Sequence, residues 1–137
     1  MKQSNYKNGI LVIVSGFSGS GKGTIISELI KKHNYALSIS ATTRQPRPNE
    51  LNGTHYHFKP RAEFEKMIQD KALIEWAEYV GNYYGTPKKF VDDNISKGKN
   101  VLLEIEIQGA ALVRKQYPDA LSIFITTESA EVLYERL

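Results

Sequence analysis

Five consecutive apolar residues, Ile10 to Val14, begin the patterned part of the chain. A strand over 10–15 that is apolar throughout suits a parallel sheet with both faces covered, not a sheet with one face in water. The next apolar positions, Ile25, Ile26, Leu29 and Ile30, recur at helical spacing and predict a helix over 23–32 with one stripe against that sheet. YALSIS (35–40) predicts a second strand. TTRQPRPNELNG then breaks all periodicity with Pro46, Pro48 and Gly53, and predicts a loop of the kind that presents binding residues. Further on, the pattern predicts a short strand over 55–58, a helix over 61–69 and an alternating strand over 73–80 around Trp76. GNYYG (81–85) reads as a turn or hairpin, and Pro87 as the first position of a helix stopping at Gly98. VLLEIEI (101–107) predicts a strand whose Glu104 and Glu106, two apart, share one side. A helix over 108–116, a buried strand over 120–126 and a helix from 128 complete the order. This succession is that of a doubly wound α/β fold with a parallel sheet and an α+β insert between the second and third core strands.

The loop between the first strand and helix, GFSGSGKGT, adds chemistry to this outline. Gly16, Gly19 and Gly21 let backbone N–H groups close around an anion, Lys22 adds a positive charge, and the helix N-terminus points its dipole at the same place. In its strand–loop–helix setting this is the phosphate-binding loop GxxxxGK, with Gly16, Ser18, Gly19, Ser20, Gly21, Lys22, Gly23 and Thr24 as its residues. The residue after the lysine is Gly23 rather than Ser or Thr, and the hydroxyl comes one position later, on Thr24.

Bulk properties narrow the partners. The 137 residues carry a net charge of +3, spread along the chain without a basic tract, which favours small anions over nucleic acid. There is no cysteine, so disulfides and thiolate metal sites are excluded. The apolar runs are far shorter than the 18 or so residues of a membrane span, and the N-terminal residues lack a signal-like core. A cytoplasmic protein without membrane partners is expected.

Taken together, GFSGSGKGT, SATTRQPRPNELNGTHYHF, LIEWAEYVGNYYGT and LLEIEIQGA resemble the guanylate kinases, enzymes that move a phosphoryl group from ATP to GMP. The resemblance covers nearly the whole chain, and its TTRxPRxxExxGxxYxF and GNYYG segments are more specific than the phosphate loop. It implies a kinase-like domain over 1–137, with a core of 1–39 and 90–137 and a GMP-binding insert of 40–89. It implies that Arg44, Arg47, Tyr56 and Tyr84 hold the GMP phosphate, and that Glu75, Thr86 and Ser40 read guanine. Glu104 would act as the acidic residue after an apolar strand, holding a magnesium-bound water or a guanine amino group. Lys22, Arg44 and Arg136 are the implied catalytic residues, Mg²⁺ the cofactor, with Thr24 and, through water, Glu104 as its contacts. Arg136 matches the first arginine of a lid, and the rest of that lid, with a last strand and helix, lies beyond Leu137 in the family. Weak activity of these residues alone is expected on that ground.

The residues themselves agree with this assignment. Forked arginines suit a phosphate dianion, and a carboxylate accepts both the N1–H and N2 donors that guanine presents and adenine does not. Taken alone, the same tyrosines, arginines and glutamate read as ordinary packing, solvated loop and strand residues. Two further functions remain open: a non-catalytic module that binds phosphorylated partners, and a kinase for another nucleoside monophosphate.

Overall fold

The computed structural model describes residues 8–17 and 20–136, with the side chains of Leu133 and Arg136 outside the description. In chain order the elements are β1 (Leu11–Gly16), α1 (Lys22–Lys32), β2 (Ala36–Leu37), β3 (Ala41–Thr42), β4 (His57–Phe58), α2 (Arg61–Gln69), β5 (Leu73–Tyr79), β6 (Asn82–Pro87), α3 (Lys88–Ser96), β7 (Val101–Glu104), α4 (Ile107–Gln116), β8 (Leu121–Ile125) and α5 (Ala130–Arg136). Contacts divide them into two compact units: Ser38–Asp92, and the chain on either side of it.

The flanking unit is built on a parallel sheet of order β2-β7-β1-β8. Its centre is dry: Leu11, Ile13 and Val14 of β1 and Val101, Leu102 and Leu103 of β7 are all buried, which is why both strands read as unbroken apolar runs. The register sets Val14 opposite Glu104 and Gly16 opposite Ile125, so β1 delivers its glycine at the carboxyl ends of the neighbouring strands. This is the edge where parallel α/β sheets carry their ligands. Helix α1 starts at Lys22, with Gly21 before it at a left-handed φ of 92°. Of its expected apolar stripe only Ile26 is fully buried, and Ile25 is exposed.

Three expectations for this unit are corrected. The strand expected over 35–40 is two strands of two residues in different sheets, β2 pairing with β7 and β3 with β4 and β6; the chain changes sheet at Ser38, and alternation cannot signal such a change. The strand expected over 101–107 ends at Glu104. Glu106 occupies the position before α4, in extended backbone with ψ 156°, so the two glutamates do not share a strand face. The strand expected to be buried over 120–126 is instead exposed at Leu121, Ile123 and Phe124, because β8 is the sheet's edge and pairs among the described residues only with β1.

Ser38–Asp92 has its own sheet, β4-β3-β6-β5, parallel between β3 and β4 and antiparallel elsewhere. Phe64 of α2, Ala41 and Leu73 form its core, with Met67, Ile68 and Tyr83 packed against them. Phe64 stacks on Tyr83 with ring centroids 5.2 Å apart. A Cβ on Gly85 would lie 3.0 Å from the Glu75 carbonyl oxygen and 3.1 Å from the Phe64 ring. Glycine is therefore what lets β6 approach this core. GNYYG is mostly strand: only Val80 and Gly81 form the turn between β5 and β6, and Pro87 ends β6 instead of opening a helix. The alternation expected over 73–80 is also broken. Leu73 pairs with Pro87 and Trp76 with Gly85, so two residues of β5, Ile74 and Glu75, stand against the single Thr86 of β6, a bulge of one extra residue. Leu73 and Ile74 are consequently buried side by side.

Candidate functional site

In the Ser38–Asp92 unit, two clusters gather the residues expected to meet GMP. The first is built on the turn after β3. Thr42 Oγ1 accepts from the Arg44 backbone N–H at 3.2 Å while donating to the Tyr83 carbonyl at 2.8 Å, which ties the start of the loop to β6. Arg44 donates from Nη1 to Glu50 Oε1 at 2.8 Å and from Nη2 to Glu50 Oε2 at 2.9 Å, a two-bond fork. Nη1 also donates to the Gln45 carbonyl at 3.0 Å. The Arg47 backbone N–H donates to Glu50 Oε1 at 2.8 Å, and the Glu50 N–H returns a bond to the Arg47 carbonyl. The guanidinium of Arg44 lies 5.3 Å from the centre of the Tyr56 ring and 5.9 Å from that of Phe58, within the range of cation–π attraction. Tyr56 meets Tyr84 edge to face at 6.2 Å.

Charge follows from this geometry. The Arg44 fork, helped by the Arg47 N–H, holds the Glu50 carboxyl down to about 2. Arg44 is pushed further above its already high value, first by its bonds to Glu50, with Tyr84 adding to the shift. The structure thus brings Arg44, Tyr56 and Tyr84 together, ties Arg47 into the same turn through its backbone, and adds a residue to which the sequence reading gave no role, Glu50. The signal for it was present in the spacing RxxRxxE, since a carboxylate three residues after Arg47 can close a turn on the arginines before it. Arg47 itself is exposed.

The second cluster is a pair. Thr86 is fully buried and its Oγ1 donates to Glu75 Oε1 at 2.8 Å. Burial pushes the Glu75 carboxyl up, and the Thr86 bond offsets part of that. The bulge accounts for the placement, since an extra residue in one strand re-aims a side chain that regular alternation would have sent elsewhere. Tyr84 and Thr86 are two apart on β6 and so share its face. Ser40 is half-buried, and its carbonyl accepts from the His57 N–H.

The phosphate loop lies in the other unit. Its Ser18 and Gly19 fall outside the described residues. Lys22 Nζ is mostly covered, donates to the Gly16 carbonyl at 3.1 Å and lies 4.0 Å from Glu106 Oε1. Ser20 Oγ is buried with no hydrogen-bond partner among the described residues, a polar atom in the loop that awaits an acceptor or donor. Thr24 is exposed in the first turn of α1, and Glu104 is exposed where β7 ends. One hydroxyl and one carboxylate in the same unit is the sparse donor set that magnesium uses when nucleotide phosphates and water complete its shell. No group of three His, Asp or Glu side chains able to hold a metal on its own occurs among the described residues. Glu106, expected only as a neighbour of Glu104, is the acid that pairs with Lys22 among the described residues. Arg136 is the last residue of α5, its side chain outside the description.

Comparison with known proteins bears on what these clusters belong to. A sequence model described as "Guanylate kinase" matches residues 8–137. The chain belongs to the guanylate kinase family. It is 52% identical over 130 residues to a guanylate kinase of Carboxydothermus hydrogenoformans, covering 94% of this chain and 64% of the relative. It is 49% identical over 133 residues to that of Bacillus subtilis, covering 96% and 65%. Among solved structures, the crystal structure of guanylate kinase from Anaplasma phagocytophilum superposes with a TM-score of 0.78 at 35% identity, over 95% of this chain and 66% of that one. The expected guanylate kinase fold, with its mostly parallel sheet, is therefore present. The chain spans about two thirds of the length of the curated guanylate kinases it matches. No helix among the described residues is long and apolar enough to cross a membrane.

Proposed function

We propose that the protein transfers a phosphoryl group from ATP to GMP, giving ADP and GDP. The observation that carries this reading is that β6 and its neighbours hold a guanidinium–tyrosine cluster and a half-buried carboxylate–threonine pair within one small unit. Arg44, Arg47, Tyr56 and Tyr84 are the donors for the GMP phosphate, since forked and hydroxyl donors suit a dianion. Glu75 accepts from guanine N1–H and N2–H while Thr86, whose hydroxyl holds the other side of that carboxylate, lies beside O6; adenine lacks the N1–H and leaves a buried acceptor unpaired. Ser40 is a further guanine contact by its place in the family pattern.

On the ATP side, Lys22 and the loop 16–24 hold phosphates with the N-terminus of α1. Lys22 then exchanges its bond to the Gly16 carbonyl for phosphate oxygens. Magnesium, if bound with ATP, would be held by Thr24 and, through water, Glu104, and would supply neutralisation of phosphate charge. The work of the protein's own residues is positioning: two anions are brought together, their repulsion offset by Lys22, Arg44 and Arg47, with Arg136 as a further cation, and no general base is needed because the acceptor is already a phosphate oxygen.

The test is a coupled assay for ADP release with GMP, AMP and UMP as acceptors, beside calorimetric titration of each. GMP-dependent turnover is expected. Tight GMP binding with no turnover under any magnesium concentration would make the protein a binding module, and equal use of AMP would remove the base-reading role of Glu75.

A further inference from the structure

We infer that Glu50 is a positioning residue for the monophosphate: it turns Arg44 so that the guanidinium offers its Nε–Nη2 edge to the ligand. This rests on the reading of Arg44 as a phosphate donor. Arginine has five N–H groups. In this structure Nη1 spends both of its hydrogens, one on Glu50 Oε1 and one on the Gln45 carbonyl, and Nη2 spends one on Glu50 Oε2. The remaining two, on Nε and Nη2, lie along a single edge of the plane; Tyr84, which also bears on the guanidinium, is itself one of the proposed phosphate donors. A phosphate approaching elsewhere would have to break a short, charge-assisted bond.

Three features make Glu50 a holder rather than a chance partner. Its two oxygens match the two terminal nitrogens of Arg44 with nearly equal distances, 2.8 and 2.9 Å, the geometry of a bidentate pair. It is itself held, because the Arg47 N–H donates to Oε1 and its own N–H bonds the Arg47 carbonyl. And the side chains of both partners are mostly covered, at 17% and 15% exposed, so the pair is shielded from the water that weakens most ion pairs on a surface. The Tyr56 and Phe58 rings beside the guanidinium limit its remaining freedom to slide. A side chain as long as arginine otherwise loses much of its rotamer freedom when it binds; here that loss is met on folding, so the arm is in place before the ligand arrives.

The carboxylate also sets the charge. Arg44 and Glu50 cancel, which leaves Arg47 as the net cation of the turn, so affinity for the phosphate comes from aimed donors more than from accumulated charge. A second possibility, that Glu50 occupies the anion position and must be displaced, predicts the opposite sign for its removal.

The experiment is calorimetric titration of the wild type, Glu50→Gln and Glu50→Asp with GMP and, separately, with guanosine, which lacks the phosphate. Glu50→Gln is expected to weaken GMP binding roughly 10- to 100-fold, the scale of a misplaced positioning group, with guanosine binding unchanged within twofold. Glu50→Asp, which keeps the charge but is one methylene shorter, is expected to lie between the two and serves as the test should Glu50→Gln fail to fold. Equal GMP binding by wild type and Glu50→Gln, tighter binding by the variant, or parallel loss of GMP and guanosine would each overturn the positioning role. A wild type that binds guanosine and GMP equally, or neither, would instead overturn the reading of Arg44 on which it rests.

Discussion

Thr86 donates its hydroxyl to Glu75 across the β5–β6 hairpin at 2.8 Å, from a fully buried position on one strand to a bulged position on the other. The bond leaves the second oxygen of the carboxylate, and one more lone pair of the first, for a ligand.

Replacing that carboxylate with an amide keeps its shape and changes its bonding. Glu75→Gln presents a donor where guanine presents donors, so GMP binding is expected to fall by about 1–3 kcal/mol, the cost of an unpaired buried polar group. Discrimination against AMP should narrow along with it. Titration with both nucleotides checks the prediction, and an unchanged GMP dissociation constant would reduce Glu75 to a strand residue.

Glu50 and Glu75 respond to acid in opposite senses. Glu75 is raised above its ordinary 4.5 by burial; its neutral form is favoured on folding, so its contribution to stability is complete below 4.5 and is lost as pH rises through the raised value. Glu50 is lowered from 4.5 to about 2; the stability it contributes is present above 4.5 and is lost as pH falls through 2. Melting temperatures followed by the fluorescence of Trp76 between pH 2 and 8 should therefore decline less on the acid side in Glu50→Gln, and less above 4.5 in Glu75→Gln, than in the wild type. GMP affinity, which needs the Glu75 carboxylate charged, should rise with pH across the same window.

Lys22 and the GMP cluster belong to different compact units. Lys22→Ala is expected to weaken ATP binding by at least about 2 kcal/mol, as for loss of a charged hydrogen bond, with GMP binding unchanged within twofold. Separate titrations of the two nucleotides decide this, and a matching loss of GMP affinity would refute the division of labour.

The hairpin turn stores strain that one substitution can release. Val80 has a φ of 48° and Gly81 one of 77°, the two positive values that a two-residue turn requires, and a β-branched residue is poorly suited to the first of them. The Val80 side chain is exposed, so little packing is lost on replacing it. Val80→Asn should stabilise the protein by about 1 kcal/mol, measurable by urea unfolding, and should leave GMP binding as it was.

What the sequence made legible follows the physics of each signal. The run Ile10 to Val14 and the glycines after it could hardly be read otherwise, because a doubly covered strand and a tight anion loop leave few alternatives. The residues Arg44, Tyr56, Tyr84, Glu75 and Thr86 came from resemblance, and their types alone would have suggested packing and solvation. Period-two alternation could not show the bulge at Glu75, since a bulge changes the count between strands and not the composition within one. The same blindness produced a seven-residue strand from VLLEIEI, where Glu106 turns out to start a helix. Glu50 is marked by the spacing RxxRxxE, but which partners it takes, a side chain six residues back and a backbone N–H three back, is settled only once the turn has formed. The apolar run of β8 predicts burial that the structure does not show, because an apolar sequence reports what a strand could bury, not how many neighbours it has.

Tyr84 and Thr86, proposed to meet opposite ends of the same nucleotide, ride on one strand with Gly85 wedged against the core between them. Two residues of β-strand rise about 7 Å, and no loop movement alters that separation. The strand therefore acts as a gauge: it admits a ligand whose phosphate and base edge are the right distance apart, and its calibration is set by backbone geometry rather than by the side chains that do the binding. Inserting one residue between them would do more than lengthen the gauge: it would turn one of its two ends to the opposite face.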